Sequence, residues 1–417
     1  MEKTMNILFV VPYVPNLIRV RPYNLIRSLS RRGHQITLMT LWTDDRDLED
    51  LEQLKSFCKQ VLAYPLPRWR SLSNCVLTLP TDRPLQAVYC WSPDFSHAIQ
   101  EQLVSGNEGE GYDVIHIEHL RGARYGQAIR SRWDGKSPPI VWDSVDSISY
   151  LFRQAAGQSQ KLFNRMVTRF ELPRTEKYEA AVTREFDRVL VTSEKDRDAF
   201  CQLGEIVDTE KLRILNNGVD LDYFSVGNFQ ERAENTLVVS GKLSYHANIS
   251  MVHFMMEKIM PQVWESIPEV KLWIVGKDPP GDIQAYAKDQ RIVVTGTVDD
   301  LRPYLQKATL AVAPVTYGAG IQNKVLEAMA CATPVVSTPT AVAALELEWG
   351  DDVAIAEDQY TFAQTVIDLL QRPERRLNLA RRGREYVERK HSWEAIAARL
   401  EKIYMDVIVS TNHFPAV

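Results

Sequence analysis

The sequence is short of several things that would assign it a class at once. It has five cysteines in 417 residues, scattered at Cys58, Cys75, Cys90, Cys201 and Cys331, and no pair has metal-ligand spacing. An odd, dispersed set excludes a disulfide framework and reads as reduced core residues of a cytosolic protein. No apolar run approaches the ~18 residues a membrane span requires, so contact with a membrane is expected to be peripheral only. The start, "MEKTMNILFVVPYVP", lacks a small-residue cleavage site, and its apolar run suits a first strand better than a signal peptide. Large charge excess is also lacking. The net charge of −5 argues against a nucleic-acid partner, and residues 1–220 are balanced, with 29 basic and 29 acidic side chains. Missing too are a P-loop, since "DGKS" at 134–137 has neither the upstream glycine nor a following helix, and any G-x-G-x-x-G after a strand with a downstream acid. The latter absence excludes a nicotinamide dehydrogenase of the usual kind.

What is present is an ordinary globular composition, 45% hydrophobic and 25% charged, at a length that suits roughly two domains on a prior of about 150 residues each. Short apolar runs alternate with amphipathic stretches. "NILFVV", "QITLMTL", "DVIHI", "PIVWD", "RVLVT" and "LRIL" read as strands, with a helix over Tyr23 to Arg31 between the first two. The series pauses at "NNGVDLDYFSVGNFQERAENT", which reads as the linker. It resumes with "TLVVS", "VKLWIV", "RIVVTG", "TLAVA", "TPVVST" and "DVAIA". Such alternation predicts α/β architecture with parallel sheets, one doubly wound domain per half. Trp393, Ile396, Ala397, Leu400 and Ile403 follow helical spacing near the C-terminus.

The most informative stretch is "GAGIQNKVLEAMACATPVVSTP", Gly318 to Pro339. Glycines 318 and 320 permit close backbone approach. A helix starting near Gln322 would aim free N–H groups and its positive dipole end at an anion, with Lys324 adding a full charge. Glu327, one turn on, has the geometry to accept hydrogen bonds from vicinal hydroxyls such as a ribose offers. A glycine-started core helix whose Lys and Glu merely face water explains the stretch equally well on its own. A second cationic loop, Gly241 and Lys242 in "TLVVSGKLSYHANISM", precedes a helix expected after Asn248 and favours the anion-binding reading.

"LNNGVDLDYF", "SGKLSYHANI", "IVGKDPP", "VTGTVDDLRPYLQKA" and "VLEAMACATPVVST", in this order, resemble family-4 retaining glycosyltransferases of the GT-B fold, in a subgroup that includes bacterial exopolysaccharide-type sugar transferases. The resemblance implies two Rossmann-like doubly wound domains facing across a cleft. Residues 1–220 would bind the acceptor, joined by a C-terminal helix within 391–417, and residues 221–390 would bind the donor. It further implies a nucleotide-diphosphate sugar, UDP- or GDP-linked, as donor substrate, with no cofactor or metal required. The acceptor would be a glycan, a lipid-linked glycan or a small molecule, and the protein would be cytoplasmic, on the inner face of a membrane where contact is made. Lys242 and Lys324 would hold the diphosphate and Glu327 the ribose. Gly241, Gly276, Gly296, Thr297 and Val298 would line the donor site, and Gly320, Ile321, Gln322 and Asn323 would face the sugar. Ala319 stands where many relatives carry a first glutamate, which leaves open a silent nucleotide-sugar binder or a sugar-nucleotide epimerase.

In the N-terminal half, "DVIHIEH" offers His116 and His119 for sugar binding or catalysis, against the plainer reading of a structural histidine at a strand end. Asp143 and Asp146 in "DSVDSIS" could bind acceptor hydroxyls or cap the next helix. Asp220 and Asp222 form a D-x-D on the linker, where a turn is expected rather than a metal. Arginine clusters in this half, with "PRWRSLSNCVLTL" around Trp69, suggest either solvated helix faces or a surface for anionic lipid.

Overall fold

The computed structural model describes residues 4–17, 19–107, 111–133, 137–158, 162–204, 208–316 and 322–412. The chain forms two compact units. Unit 1 is Met1–Asn217 with Ile396–Val417, and unit 2 is Gly218–Ala395.

Unit 1 is built on seven strands: β1 (Asn6–Val11), β2 (Gln35–Trp42), β3 (Gln60–Pro65), β4 (Val114–Glu118), β5 (Ile140–Val145), β6 (Arg188–Val191) and β7 (Leu212–Ile214). Their order is β3-β2-β1-β4-β5-β6-β7, every pair parallel. Central strands such as β1 and β4 are buried along nearly their whole length, which is why they read as continuous apolar runs. β3 was not legible that way. It is an edge strand of half-exposed residues that begins at Gln60 and ends at Pro65. Helices cover the sheet, including Val20–Arg31 after β1 and the hairpin Ile148–Gln158 and Leu162–Glu185 after β5.

The helix Trp393–Asn412 rejoins this unit from Ile396 onward. Its Tyr404 hydroxyl lies 2.7 Å from His116 Nδ1 on β4, both side chains having no exposed surface. Buried Glu401 accepts a 2.6 Å hydrogen bond from Arg32 Nε.

Unit 2 has six parallel strands: β8 (Thr236–Ser240), β9 (Lys271–Val275), β10 (Ile292–Val294), β11 (Leu310–Ala313), β12 (Val335–Ser337) and β13 (Ala354–Ile355). The order is β10-β9-β8-β11-β12-β13. In both units the sheet grows first to one side and then to the other. The reversal falls between β1 and β4, and between β8 and β11, the switch points where open α/β sheets bind ligands beyond the carboxyl ends of their strands.

Two glycines fix how the loops leave β8 and β9. Gly241 N donates to Val275 O at 3.1 Å, and Leu243 N to Lys277 O at 2.9 Å, so the loops continue the strand pairing past the sheet edge. A Cβ on Gly276 would lie 1.7 Å from the carbonyl oxygen of Gly241. That neighbour is backbone and cannot rotate away. Gly276→Ala should therefore cost about 4 kcal/mol or more, or prevent soluble expression, because overlap with fixed backbone belongs to the severe class of substitutions. Gly281→Ala, whose Cβ meets nothing within 4 Å, should stay within about 0.5 kcal/mol. Urea unfolding of the two variants checks the contrast.

Candidate functional site

The carboxyl edge of unit 2 brings the two cationic loops together. The helix Asn323–Ala330 begins at N-cap Gln322, and Lys324 sits in its first turn. Lys324 Nζ donates to Asn248 Oδ1 at 2.6 Å, and Asn248 Nδ2 donates to the backbone oxygen of Lys242 at 2.9 Å. Asn248, only 9% exposed, thus ties the loop after β8 to the helix after β11. The helix here is His246–Phe254, so Asn248 lies inside it rather than ahead of it. Its amide also packs where a Cβ on Gly241 would reach, 2.9 Å from Nδ2, and Gly241 holds φ at 152°.

Burial works on both charges of this helix. It pushes the Lys324 ammonium down to about 8, partly opposed by Glu327. It pushes the Glu327 carboxyl up to about 7, partly opposed by Lys324. Each group is held near the point where it changes charge at neutral pH. Burial with shifts of this kind is costly to the fold, and shifted groups of this kind concentrate at functional sites.

Lys242 itself is exposed. Gly276 and Gly241 face each other as described. Gly296 takes φ 69° in open space after β10, Thr297 is exposed, and Val298 packs on the unit 2 core. Asn323 is exposed at the helix start. Gly320 and Ile321, with Gly318 and Ala319, lie outside the described residues.

Unit 1 has its own concentration of charge at the β1/β4 switch. Glu118 on β4 and Asp143 on β5 are register partners and point to the same face as His116. His116 Nε2 lies 3.5 Å from Glu118 Oε2 and 3.7 Å from Asp143 Oδ2. Arg21, near the start of the helix after β1, grips Asp143 through Nε at 2.8 Å and Nη2 at 3.1 Å. Its Nη1 donates to Asn217 Oδ1 at 2.9 Å, which fixes the "NN" turn at the end of unit 1. Tyr13 OH lies 3.4 Å from Glu118 Oε1.

Arg21, His116, Glu118 and Asp143 are 4% exposed or less, and His116 and Asp143 are fully buried. The unpaired atoms are His116 Nε2 and Glu118 Oε2. Among the described residues, His116, Glu118 and Asp143 alone form a set with ligand atoms close enough for a metal, all within 4.8 Å. Sequence spacing gave no hint of this set, because it spans two strands. Arg21 already offsets Asp143. One proton would offset Glu118, whose carboxyl is pushed up by burial and by the Asp143 charge.

With no exposed surface, His116 has no direct access to a substrate. His119 is better placed. It sits half-buried just past β4 with φ at 62°, and burial lowers its imidazole to about 4, so it is neutral. Val145, at the end of β5, also has left-handed backbone, φ 68°, beside a register shift. A left-handed β-branched residue is uncommon, and such strain concentrates at functional edges. Neither Asp143 nor Asp146 caps the next helix. That role is shared by Ser147, whose Oγ accepts from Tyr150 N at 3.3 Å, and Glu179, from the neighbouring helix, which accepts from Ile148 N at 2.8 Å and Ser149 N at 3.3 Å. Asp146 takes the Thr192 hydroxyl at 3.2 Å. Asp220 Oδ1 accepts from the backbone of Asp222 and Tyr223, closing a turn. Arg21, Glu179 and Asn248 went unassigned in the sequence because their partners are distant along the chain.

Comparison with known proteins agrees with this architecture. Residues 19–223 match the model for Glycosyltransferase Family 4, and residues 234–372 the model for Glycosyl transferases group 1. An uncharacterized 44.6 kDa protein in the cps region of Klebsiella pneumoniae is 22% identical over 352 residues, 82% of this chain and 84% of that protein. Sucrose-phosphate synthase from Thermosynechococcus elongatus superposes with a TM-score of 0.63 at 18% identity, over 97% of this chain and 100% of that one. HepE of Anabaena in complex with UDP and glucose gives a TM-score of 0.58 at 13% identity, over 96% and 100%. WaaG, a glycosyltransferase involved in lipopolysaccharide biosynthesis, gives 0.56 at 15% identity, over 95% and 99%. With a family 4 domain followed by a group 1 domain on two all-parallel α/β units, the chain belongs to the glycosyltransferases of the GT-B fold.

Proposed function

We propose that the protein moves a hexosyl group from a nucleotide-diphosphate sugar, UDP- or GDP-linked, to a hydroxyl of a glycan, lipid-linked or small-molecule acceptor. Transfer retains the anomeric configuration and serves synthesis of a surface polysaccharide or glycoconjugate. The observation that carries this reading is the Lys324–Asn248–Lys242 link across the β8/β11 switch point, with Glu327 one turn further along the same helix. The UDP and UDP-glucose complexes of HepE, a structural neighbour, fit a donor of this class. The cps-region relative and the lipopolysaccharide enzyme fit the biosynthetic setting.

In this reading the donor diphosphate lies against the cationic edge of unit 2, and Glu327 takes the ribose hydroxyls. As the glycosidic bond breaks, negative charge grows on the departing phosphate and positive charge on the sugar ring. Lys242, Lys324 and the N–H groups that open the helix Asn323–Ala330 are pre-aimed at the first, which is where fixed dipoles and cations lower the barrier most. The departing phosphate oxygen takes the acceptor proton, so no protein nucleophile is needed. On unit 1, neutral His119 meets the acceptor, and His116 holds the β4 edge in place through Tyr404. A thermal-shift screen of UDP-, GDP- and ADP-sugars identifies the base, since stabilisation follows affinity. Nuclear magnetic resonance of the product's anomeric centre tests retention.

The titrations of the empty site give a pH signature. Glu327 must be ionised to accept hydroxyls and Lys324 protonated to meet phosphate. The rate constant kcat/KM, which reports the free enzyme, should rise through about 7 and fall past about 8, a narrow bell belonging to the coupled pair. Glu327→Gln should remove the rise and weaken nucleoside-diphosphate binding. It should also stabilise the empty protein. The folded carboxyl is raised from 4.5 to about 7, so folding stability falls as pH climbs through that window. The variant's gain in Tm should therefore be absent near the lower value and complete above the upper one. An unchanged nucleotide affinity would remove Glu327 from the site.

Lys242→Ala should lose on the order of 10²–10³ in turnover, the usual effect of removing one pre-aimed donor. Wild-type turnover should survive excess EDTA. Loss in EDTA that is restored by magnesium or manganese would overturn the assignment of charge stabilisation to the lysines.

A further inference from the structure

The amino edge of the unit 2 sheet, opposite the edge that carries Lys242 and Lys324, holds a cavity of about 470 Å³. It opens where β8, β11 and β12 begin: Asn235, Thr309 and Pro334, each one residue ahead of its strand, line it. Phe229 and Leu377, both exposed, give it apolar walls. Leu370 and Pro373 add to them from the helices Gln359–Gln371 and Pro373–Lys390. Against these walls stand two arginines, Arg232 and Arg376. The Arg232 guanidinium lies 5.0 Å from the centre of the Phe229 ring.

Both arginines hold helix ends. Arg232 donates through Nη1 to Ala308 O and through Nη2 to Ala332 O, each at 2.7 Å, the latter just past the helix Asn323–Ala330. Longer contacts to Thr333 Oγ1 and Cys331 O occupy the rest of its Nη groups. Arg376 donates through Nη1 alone, to Leu369 O at 2.7 Å and Leu370 O at 2.5 Å. Its Nε and Nη2, the edge with which a guanidinium forks an oxyanion, have no hydrogen-bond partner among the described residues. Burial lowers both groups, Arg232 to about 10, where the Arg376 charge adds to the effect, and no carboxylate opposes it on either. Glu234 lines the rim, but it is exposed and pairs with neither arginine. Helix carbonyls carry only partial charge, so capping leaves two like charges at one cavity without a counter-ion.

We propose that this cavity is a second ligand site, for an organic phosphate monoester whose phosphate sits on the Nε–Nη2 edge of Arg376 beside Arg232 and whose carbon body lies against Phe229 and Leu377. A monoester carries about −1.5 to −2 at neutral pH and meets both cations, where a carboxylate would meet one. The volume lies within the roughly 300–1,000 Å³ of small-molecule sites. The proposal is independent of the nucleotide reading, so its test reads binding and not turnover. Isothermal calorimetry of the full chain with phenyl phosphate should show one site, with inorganic phosphate about tenfold weaker because it leaves the apolar walls empty. Leu377→Glu sets a carboxylate at the mouth of the cavity and should weaken phenyl phosphate binding by about tenfold or more. Leu377 already faces water, so this variant should unfold at the wild-type temperature. Arg376→Gln should weaken binding as much. Lys242→Ala, at the opposite edge, should leave it unchanged. The proposal falls if phenyl phosphate does not bind at millimolar concentration, or if the Leu377→Glu variant binds it as well as wild type. It also falls if Lys242→Ala weakens the binding, which would place the probe at the nucleotide edge, or if inorganic phosphate binds equally well.

Discussion

A parallel strand must be re-entered from its starting end. Each strand of this chain is therefore followed by a crossover, and the loops that leave the strands collect along one edge of each sheet. Where the strand order reverses, two successive crossovers part to opposite faces and leave a gap above β1 and β4, and another above β8 and β11. The chemically unusual groups of the molecule lie at these edges: left-handed His119 and Val145, the Arg21–Asp143 pair, Lys324 and Glu327. They are held there by strands and helices that are buried for ordinary apolar reasons.

The two edges handle buried charge differently. In unit 1 a guanidinium grips one carboxylate from two directions, and the second carboxylate is driven toward its neutral form by that negative neighbour and by burial. The result is a closed, rigid cluster, with Tyr404 and Phe9 packed on the His116 ring. In unit 2 the lysine and glutamate sit in one helix, and burial pulls both toward losing their charge. A ligand with an anionic end and a hydroxylated end would supply what each group lacks.

The strands of both sheets were legible because a parallel sheet covered on two faces demands apolar runs. The exception, β3, shows why: an edge strand with Gln60 and Pro65 at its ends has no such demand. Lys324 and Glu327 could be read because they share one helix turn and its glycine-rich approach. Asn248 could not, because it contacts Lys324 across 76 residues of chain. Arg21 reaches Asp143 across 122 residues and Tyr404 reaches His116 across 288. No periodicity encodes such pairs. The composition around Trp69 stood out in the sequence, yet only the burial of Ser71 and Thr78 shows which side of the helix Arg68–Thr78 faces water.

Unit 1 is interrupted. Its sheet is finished by Ile214, yet the tyrosine that satisfies His116 and the glutamate that receives Arg32 arrive only with residues 396–412, after the whole of unit 2. On a ribosome the chain emerges from one end, so unit 2 can close while unit 1 still carries an open face over β4. The unit that begins first finishes second. Until it does, a buried histidine stands without its partner and apolar surface waits uncovered, which makes this interval the one in which a chaperone or a protease has most to hold.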